Sequence, residues 1–271
     1  MRTKNLKPIP KEERLDVLDR KWDVLIVLDA CRYDTFKEVG FKRGSLKKEQ
    51  SIGSWTEMWL KKTFIDNNYE DIVYISANPQ TAKVKDKFYK HIPLYKDKWN
   101  EKYGTVLPEV VSQDLVEKNA MHPNKKIIAH YLQPHAPSIG EHKLYTPRSD
   151  EWEWNLSEAR GGSISMDDFY EYYKENLERA LNAVKKSLPF LSGKVVITSD
   201  HGYVFAEYND KNGDPLIAHP KEGINIPELI NVPWCEIDAG VIEEGKPDFS
   251  VEEDNFKKGE VKDKLRSLGY L

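Results

Sequence analysis

The chain has 271 residues, in which 41 Lys and Arg stand against 45 Asp and Glu, giving a net charge of -4. A chain of this length can bury a substantial core, so size excludes no class of enzyme. A slightly acidic protein carries no global positive field that would draw it to nucleic acid or to anionic lipid, and a small anionic ester is the better-fitting partner.

The cysteines and the N-terminal region bear on location. Cys31 and Cys235 alone give neither a disulfide framework nor a zinc-ribbon spacing, which favours a reducing compartment. Residues 1–20 are charged and lack an apolar leader, and no stretch approaches the roughly 20 apolar residues of a membrane span. We therefore expect a soluble cytoplasmic protein. Because the sequence has no internal repeat or long linker, we also expect a single domain over residues 1–271.

Short apolar runs rich in β-branched residues recur along the chain and predict buried strands. The candidate strands are residues 23–28, 71–76, 126–132, 194–199 and 232–237. Helices are predicted at 56–66, 106–120, 167–188 and 260–268, the third with apolar residues at steps of four and three. This alternation predicts an α/β fold with a largely parallel sheet covered by helices on both sides.

Two of the predicted strands run into acidic residues. The first runs into Asp29, and the fourth runs into Asp200, which His201 and Gly202 follow at once. The carboxyl ends of such strands are where open α/β sheets place their ligands. Either Asp alone could simply cap a following helix, but the two acids with a contiguous imidazole form a ligand set for a divalent metal. We therefore predict a metal-dependent hydrolase.

The segment 51–59 leads from a Gly-containing turn into a predicted helix, whose free backbone amides form a natural anion site. Ser54 with Glu57 matches a capping box, so Ser54 is predicted to cap the helix and to leave the Thr56 hydroxyl uncommitted. Thr56 is the predicted nucleophile, because a neighbouring metal can lower the pKa of a hydroxyl and align it. Ser54 as nucleophile, or Thr56 as an ordinary first-turn residue, are the alternatives.

Three histidines and one arginine lie near these positions in the sequence. His135 follows the third predicted strand and His219 lies in the loop region after Asp200, so both are predicted to contact metal or substrate rather than only to shape loops. His130 lies inside a strand and is predicted to pack. Arg32, shortly after Asp29, is predicted to clamp an anionic ester in a bidentate manner, with a place on a helix surface as the alternative.

Four segments, taken in order, resemble the sulfatase-like branch of the alkaline phosphatase superfamily. They are Val27-Leu-Asp-Ala-Cys-Arg32, Tyr131-Leu-Gln-Pro-His135, Thr198-Ser-Asp-His-Gly202 and Leu265-Arg-Ser-Leu-Gly-Tyr270. The resemblance implies an alkaline-phosphatase-like three-layer α/β/α sandwich with a largely parallel central sheet. It also implies that metals and a Ser, Thr or modified Cys nucleophile cleave phosphate or sulfate esters.

Carried over by position, the resemblance implies that Asp29, Asp200 and His201 hold one metal that Thr56 completes. It further implies that His135 and His219 serve a second metal or the leaving group. The expected cofactor is thus one or two divalent ions of zinc, manganese or calcium.

The chain departs from the family in two places. Nothing in 51–60 matches the Cys-x-Pro-Ser-Arg pattern of formylglycine sulfatases, and no histidine has Asp or Glu four residues before it, as the second metal of two-metal phosphatases usually requires. Three hypotheses remain: a phosphomonoesterase or phosphodiesterase, a sulfuric ester hydrolase with an unusual nucleophile, and a non-catalytic metal-binding relative. The first two require Asp29, Thr56, Asp200 and His201 to converge.

Overall fold

The computed structural model describes residues 14–141, 164–210, 213–220 and 225–238. Its strands are β1 (Val24–Asp29), β2 (Ser45–Gln50), β3 (Tyr69–Ser76), β4 (Phe88–Pro93), β5 (Lys126–Pro134), β6 (Lys194–Thr198), β7 (Val204–Asn209), β8 (Pro215–Ala218) and β9 (Asn231–Asp238). Its α-helices are α1 (Tyr33–Val39), α2 (Thr56–Phe64), α3 (Leu94–Asp97), α4 (Pro108–Met121), α5 (Met166–Ser187) and α6 (Pro227–Ile230). The predicted helix at 260–268 and the segment 265–270 lie outside the described residues.

A seven-stranded sheet in the order β2-β9-β6-β1-β5-β3-β4 forms the centre of the fold. Neighbouring strands from β6 to β4 pair in parallel, whereas β9 runs antiparallel to both β6 and β2. The predicted α/β class with a largely parallel sheet is confirmed. No helix in the described part of the chain combines the length and apolarity that crossing a membrane requires.

Helices cover the sheet on both faces, because alternate residues of each central strand point to opposite sides. Val24, Ile26 and Leu28 of β1 lie in a core shared with α1, α4 and α5. Leu25 and Val27 lie in a second core shared with α2. This is the three-layer α/β/α arrangement that the resemblance implies.

The parallel register of β1 and β6 places the two predicted acids at one edge of the sheet. Val27 pairs with Thr198, so Asp29 and Asp200 each stand two residues beyond a paired position. The chain then turns sharply after β1, where Ala30 has a φ of 61° and donates its N–H to Asp200 Oδ1 over 3.1 Å. The turns that follow β1 and β6 are therefore joined at this edge.

Candidate active site and metal centre

Each acid of the site has one carboxylate oxygen fixed by the protein. Asp200 Oδ1 accepts hydrogen bonds from the N–H groups of Ala30 at 3.1 Å and His201 at 2.9 Å. Asp29 Oδ2 accepts one from Asn78 Nδ2 at 2.6 Å. Among the described residues no donor hydrogen-bonds to the other oxygens, Asp29 Oδ1 and Asp200 Oδ2, although both are buried. The fold thus holds the two carboxylates and leaves one oxygen of each for another partner.

The His201 ring lies against these acids. Its Nδ1–H donates to Gly202 O over 2.7 Å, and its Nε2 lies 3.4 Å from Asp29 Oδ1 and 3.5 Å from Asp200 Oδ2. Although burial lowers the pKa of His201, the charges of Asp200 and Asp29 outweigh it and raise the pKa to about 9. The two carboxylates therefore create a strong local preference for positive charge.

The Thr56 hydroxyl, at the start of α2, also lies beside His201. Its Oγ1 lies 3.2 Å from His201 Nε2. A tetrahedral zinc ion with bonds of about 2.0–2.1 Å separates neighbouring ligand atoms by about 3.3 Å. The separations between His201 Nε2 and the three oxygens lie close to that value.

The predicted capping box at the start of α2 does not form. The residue that precedes the helix is Trp55, which makes no side-chain capping bond, and the helix begins at Thr56 itself. Ser54 is buried and lies one residue before the capping position, and its Oγ lies 3.9 Å from Met58 Sδ. The prediction for Ser54 is therefore wrong, whereas Thr56 stands in the first turn as expected.

His130 also belongs to this group, which the sequence reasoning missed. Its Nε2 lies 3.9 Å from Asp200 Oδ2, and its Nδ1 lies 2.9 Å from Tyr74 Oη. Burial lowers the pKa of His130 to about 4, so the ring is neutral. The available signal was the alternation of β5: Ile127, Ala129 and Tyr131 face the core of α4 and α5, so His130 must face the layer of α2.

Three of these residues could hold a metal ion. Asp29, His130 and Asp200 each offer a ligand atom, and these atoms all lie within 4.8 Å of one another. Asp29 Oδ1, Asp200 Oδ2 and His130 Nε2 are buried and accept or donate no hydrogen bond within the described part of the chain. Because an unpartnered buried polar atom costs about 1–3 kcal/mol, a divalent cation fits this donor set well.

His135 and His219 lie on the same side as His201. Their Nε2 atoms are 3.0 Å apart, and the ring centroids of His201 and His219 are 4.7 Å apart. His135 Nδ1 faces Ala136 O at 2.9 Å, which directs its Nε2 toward His219. The structure thus brings together all of the predicted histidines and acids.

Arg32 is the exception among the predicted site residues. Its Nε donates to Asp34 Oδ1 over 2.8 Å, its Nη1 donates to Glu207 and to Tyr203 O, and its Nη2 pairs with Asp34. The guanidinium is committed to these ion pairs, which connect the start of α1 to β7. The bidentate carboxylate that Arg32 clamps belongs to Asp34, so the expected clamp on a substrate is not seen.

Comparison with known proteins gives a structural likeness only. No protein-family model matches the chain, and no curated protein sequence matches it significantly. The integral membrane phosphoethanolamine transferase EptA of Neisseria meningitidis is similar with a TM-score of 0.55 and 16% identity, over 79% of this chain and 47% of that one. This chain thus spans about half the length of that enzyme.

Two isolated domains are similar over more of their length. The soluble domain of the Neisseria meningitidis enzyme gives a TM-score of 0.52 and 15% identity, over 80% of this chain and 76% of that one. The C-terminal periplasmic domain of EptC from Campylobacter jejuni gives 0.53 and 16%, over 79% and 77%. These structures confirm the predicted resemblance at the level of the fold.

The same finding corrects the predicted location. The similar domain from Campylobacter jejuni is periplasmic, which contradicts the cytoplasmic location expected from the sequence. The expectation used the lack of a disulfide framework, and Cys31 and Cys235 are indeed buried free thiols. A domain with a large apolar core needs no disulfides in any compartment, so that absence does not identify a reducing one.

Proposed function

We propose, on the premise that this chain has the fold of the alkaline phosphatase superfamily, that it is a metal-dependent enzyme that cleaves small phosphate or sulfate esters through a covalent intermediate on Thr56. The observation that carries the proposal is the 3.2 Å separation of Thr56 Oγ1 from His201 Nε2, beside two carboxylates that each keep one oxygen unpaired. Its partner is a small anionic ester, with neither nucleic acid nor membrane as substrate.

In this proposal Asp29, Asp200 and His201 hold the cation, and Thr56 completes its coordination. A divalent cation bound there would lower the pKa of the Thr56 hydroxyl and offset the charge of an anionic ester. Zinc, manganese and calcium are the candidates. A second ion, if present, would lie at His219.

The protein groups have separate roles in the reaction. Thr56 Oγ1, after losing its proton to water, attacks the phosphorus or sulfur in line; a bond from Oγ1 to that atom forms as the bond to the leaving alcohol breaks. The first backbone amides of α2, which have no partner within the helix, would face an anion bound at the helix start. His135 and His219 share one hydrogen bond between their Nε2 atoms, and a proton held there can pass to the leaving oxygen.

The second half of the reaction transfers the group from Thr56 to an acceptor. With water as acceptor the enzyme is a hydrolase. An alcohol as acceptor makes it a transferase, and the similar structures are of phosphoethanolamine transferases, which favours testing this acceptor too. Adding an alcohol to the assay and measuring how the product divides between free phosphate and a new ester separates the two.

The proposal is tested with p-nitrophenyl phosphate, bis-p-nitrophenyl phosphate and p-nitrophenyl sulfate, each with zinc, manganese or calcium. Thr56→Ala should reduce turnover on the order of 10³-fold or more, because it removes the nucleophile. Thr63→Ala is the matched control: Thr63 is another buried threonine of α2, and its loss should change turnover only a few-fold.

Two results would count against the proposal. Unchanged turnover in Thr56→Ala would exclude Thr56 as nucleophile. Stoichiometric metal binding without turnover of any ester by the wild type would favour the non-catalytic relative instead.

A further inference from the structure

We propose that His130 is an additional protein ligand of this metal centre and that Tyr74 is the positioning residue that orients it. This inference rests on the metal site of the proposed function. It adds a second imidazole to the ligand set, from a strand that contributes no other residue to that set.

The position of His130 Nε2 supports the assignment. The atom is fully buried and makes no hydrogen bond to any described residue. It lies 3.9 Å from Asp200 Oδ2, whose own hydrogen-bonding capacity is unused. The ligand atoms that His130, Asp29 and Asp200 offer all lie within 4.8 Å of one another, so all three residues could hold a single ion.

Tyr74 controls which nitrogen of His130 is available. A histidine that binds a metal through one nitrogen commonly donates the N–H of the other to an oxygen, which fixes the tautomer and the ring. Tyr74 Oη lies 2.9 Å from His130 Nδ1, a contact in which either group can be the donor; with a cation on Nε2, Nδ1 would carry the proton and Tyr74 Oη would accept it. When Nδ1 carries the proton, Nε2 presents its lone pair to the acids.

Aromatic rings hold this pair of residues in place. The ring centroid of Trp59 lies 6.0 Å from that of His130, and the ring centroid of Phe64 lies 5.8 Å from that of Tyr74, both in edge contacts. Both His130 and Tyr74 are 0% exposed. The imidazole therefore has no water to turn toward, and Nε2 stays directed at the carboxylates.

The additional imidazole has a consequence for the choice of metal. Calcium prefers oxygen ligands, whereas zinc accepts imidazole nitrogen readily. A set with two imidazoles, two carboxylates and one hydroxyl therefore favours zinc over calcium. The centre should discriminate strongly between these two ions.

The test measures zinc coordination and zinc affinity without substrate. X-ray absorption of the wild type loaded with one equivalent of zinc should show two imidazoles, and that of His130→Gln only one. Competition with a chromophoric chelator should show weaker zinc binding by about 100-fold for His130→Gln and by about 10-fold for Tyr74→Phe. His91→Gln and Tyr131→Phe are the controls. His91 is a histidine whose Nε2 is hydrogen-bonded to Thr81, and Tyr131 is a buried tyrosine hydrogen-bonded to Ser112 on the other face of the sheet.

The outcomes distinguish a failure of the role of His130 from a failure of the proposed metal site. If Asp29→Asn abolishes zinc binding while His130→Gln and Tyr74→Phe bind like the wild type, the metal site stands and the role of His130 is refuted. One imidazole in the wild type also refutes it, even where His130→Gln does not fold. A wild type that binds no zinc overturns both the inference and the proposed metal site.

Discussion

The acids of the site differ in what holds them. Asp200 is fixed by backbone N–H groups of its own turn and of the turn after β1, so its orientation follows from the main chain. Asp29 is fixed by one side chain, Asn78, at 2.6 Å. Asn78 is itself held, because its Oδ1 accepts the N–H of Gln80 over 2.8 Å. The orientation of Asp29 therefore depends on Asn78, a residue outside the proposed ligand set.

Removing that support should weaken the metal site. We predict that Asn78→Ala lowers metal affinity by about 10–100-fold, because Asp29 Oδ2 loses its donor and the carboxylate can rotate. Asn119→Ala is the matched control: Asn119 is a buried asparagine that accepts the N–H of Ser192 far from the acids. Isothermal titration with zinc measures both variants, and equal affinities in the two would contradict this role for Asn78.

Several site residues could be recognised from sequence and others could not. Asp29 ends a strand, Asp200 and His201 follow one, and Thr56 begins a helix, so the local pattern indicates their place at the edge of the sheet. His130 looks like a packed strand residue: the alternation of β5 assigns it to the layer of α2, but sequence alone does not place it beside the acids. Asn78 follows β3 by two residues and therefore lies at the same edge of the sheet. The end of the predicted strand 71–76 already indicates this position.

Among the elements, the turn after β6 is the most constrained. Gly202 donates its N–H to Leu229 O over 2.7 Å, and an added Cβ would lie 1.9 Å from Glu228 O. The turn that presents Asp200 and His201 thus packs backbone to backbone against α6. Only glycine allows this approach.

We predict that Gly202→Ala destabilises the protein by about 3 kcal/mol or more, because one of two backbone segments must move. Gly213→Ala is the control, since Gly213 has a φ of +90° but nothing within 4 Å of an added Cβ. It should cost only about 1 kcal/mol of backbone strain. Chemical denaturation of the two variants measures the difference, and equal losses would show that the close approach is not limiting.

The elements that sequence predicted are the buried ones. The five candidate strands are observed as β1, β3, β5, β6 and β9, and the helices at 56–66, 106–120 and 167–188 are α2, α4 and α5. The edge strands β2 and β4 were missed, because an edge strand carries charged residues and lacks an apolar run. Their pairing partners, which are non-local, decide that they are strands.

For the whole molecule, the parallel sheet explains how distant segments share one site. Every strand from β6 to β4 ends at the same edge, so the loops that follow them meet there. Asp29 comes from β1, His130 from β5, and Asp200 from the turn after β6. Because these three residues come from three strands or the turns after them, their grouping depends on the complete sheet rather than on one local motif.

The measurement that tests the account most directly is isolation of the covalent intermediate. Zinc-loaded protein is mixed with p-nitrophenyl phosphate or sulfate, quenched in acid and digested, and the modified residue is identified by mass spectrometry. We predict a phosphate or sulfate on Thr56 in the wild type and none in Thr56→Ala. Ester turnover by the wild type with no label on Thr56, or with the label on another residue, would contradict it.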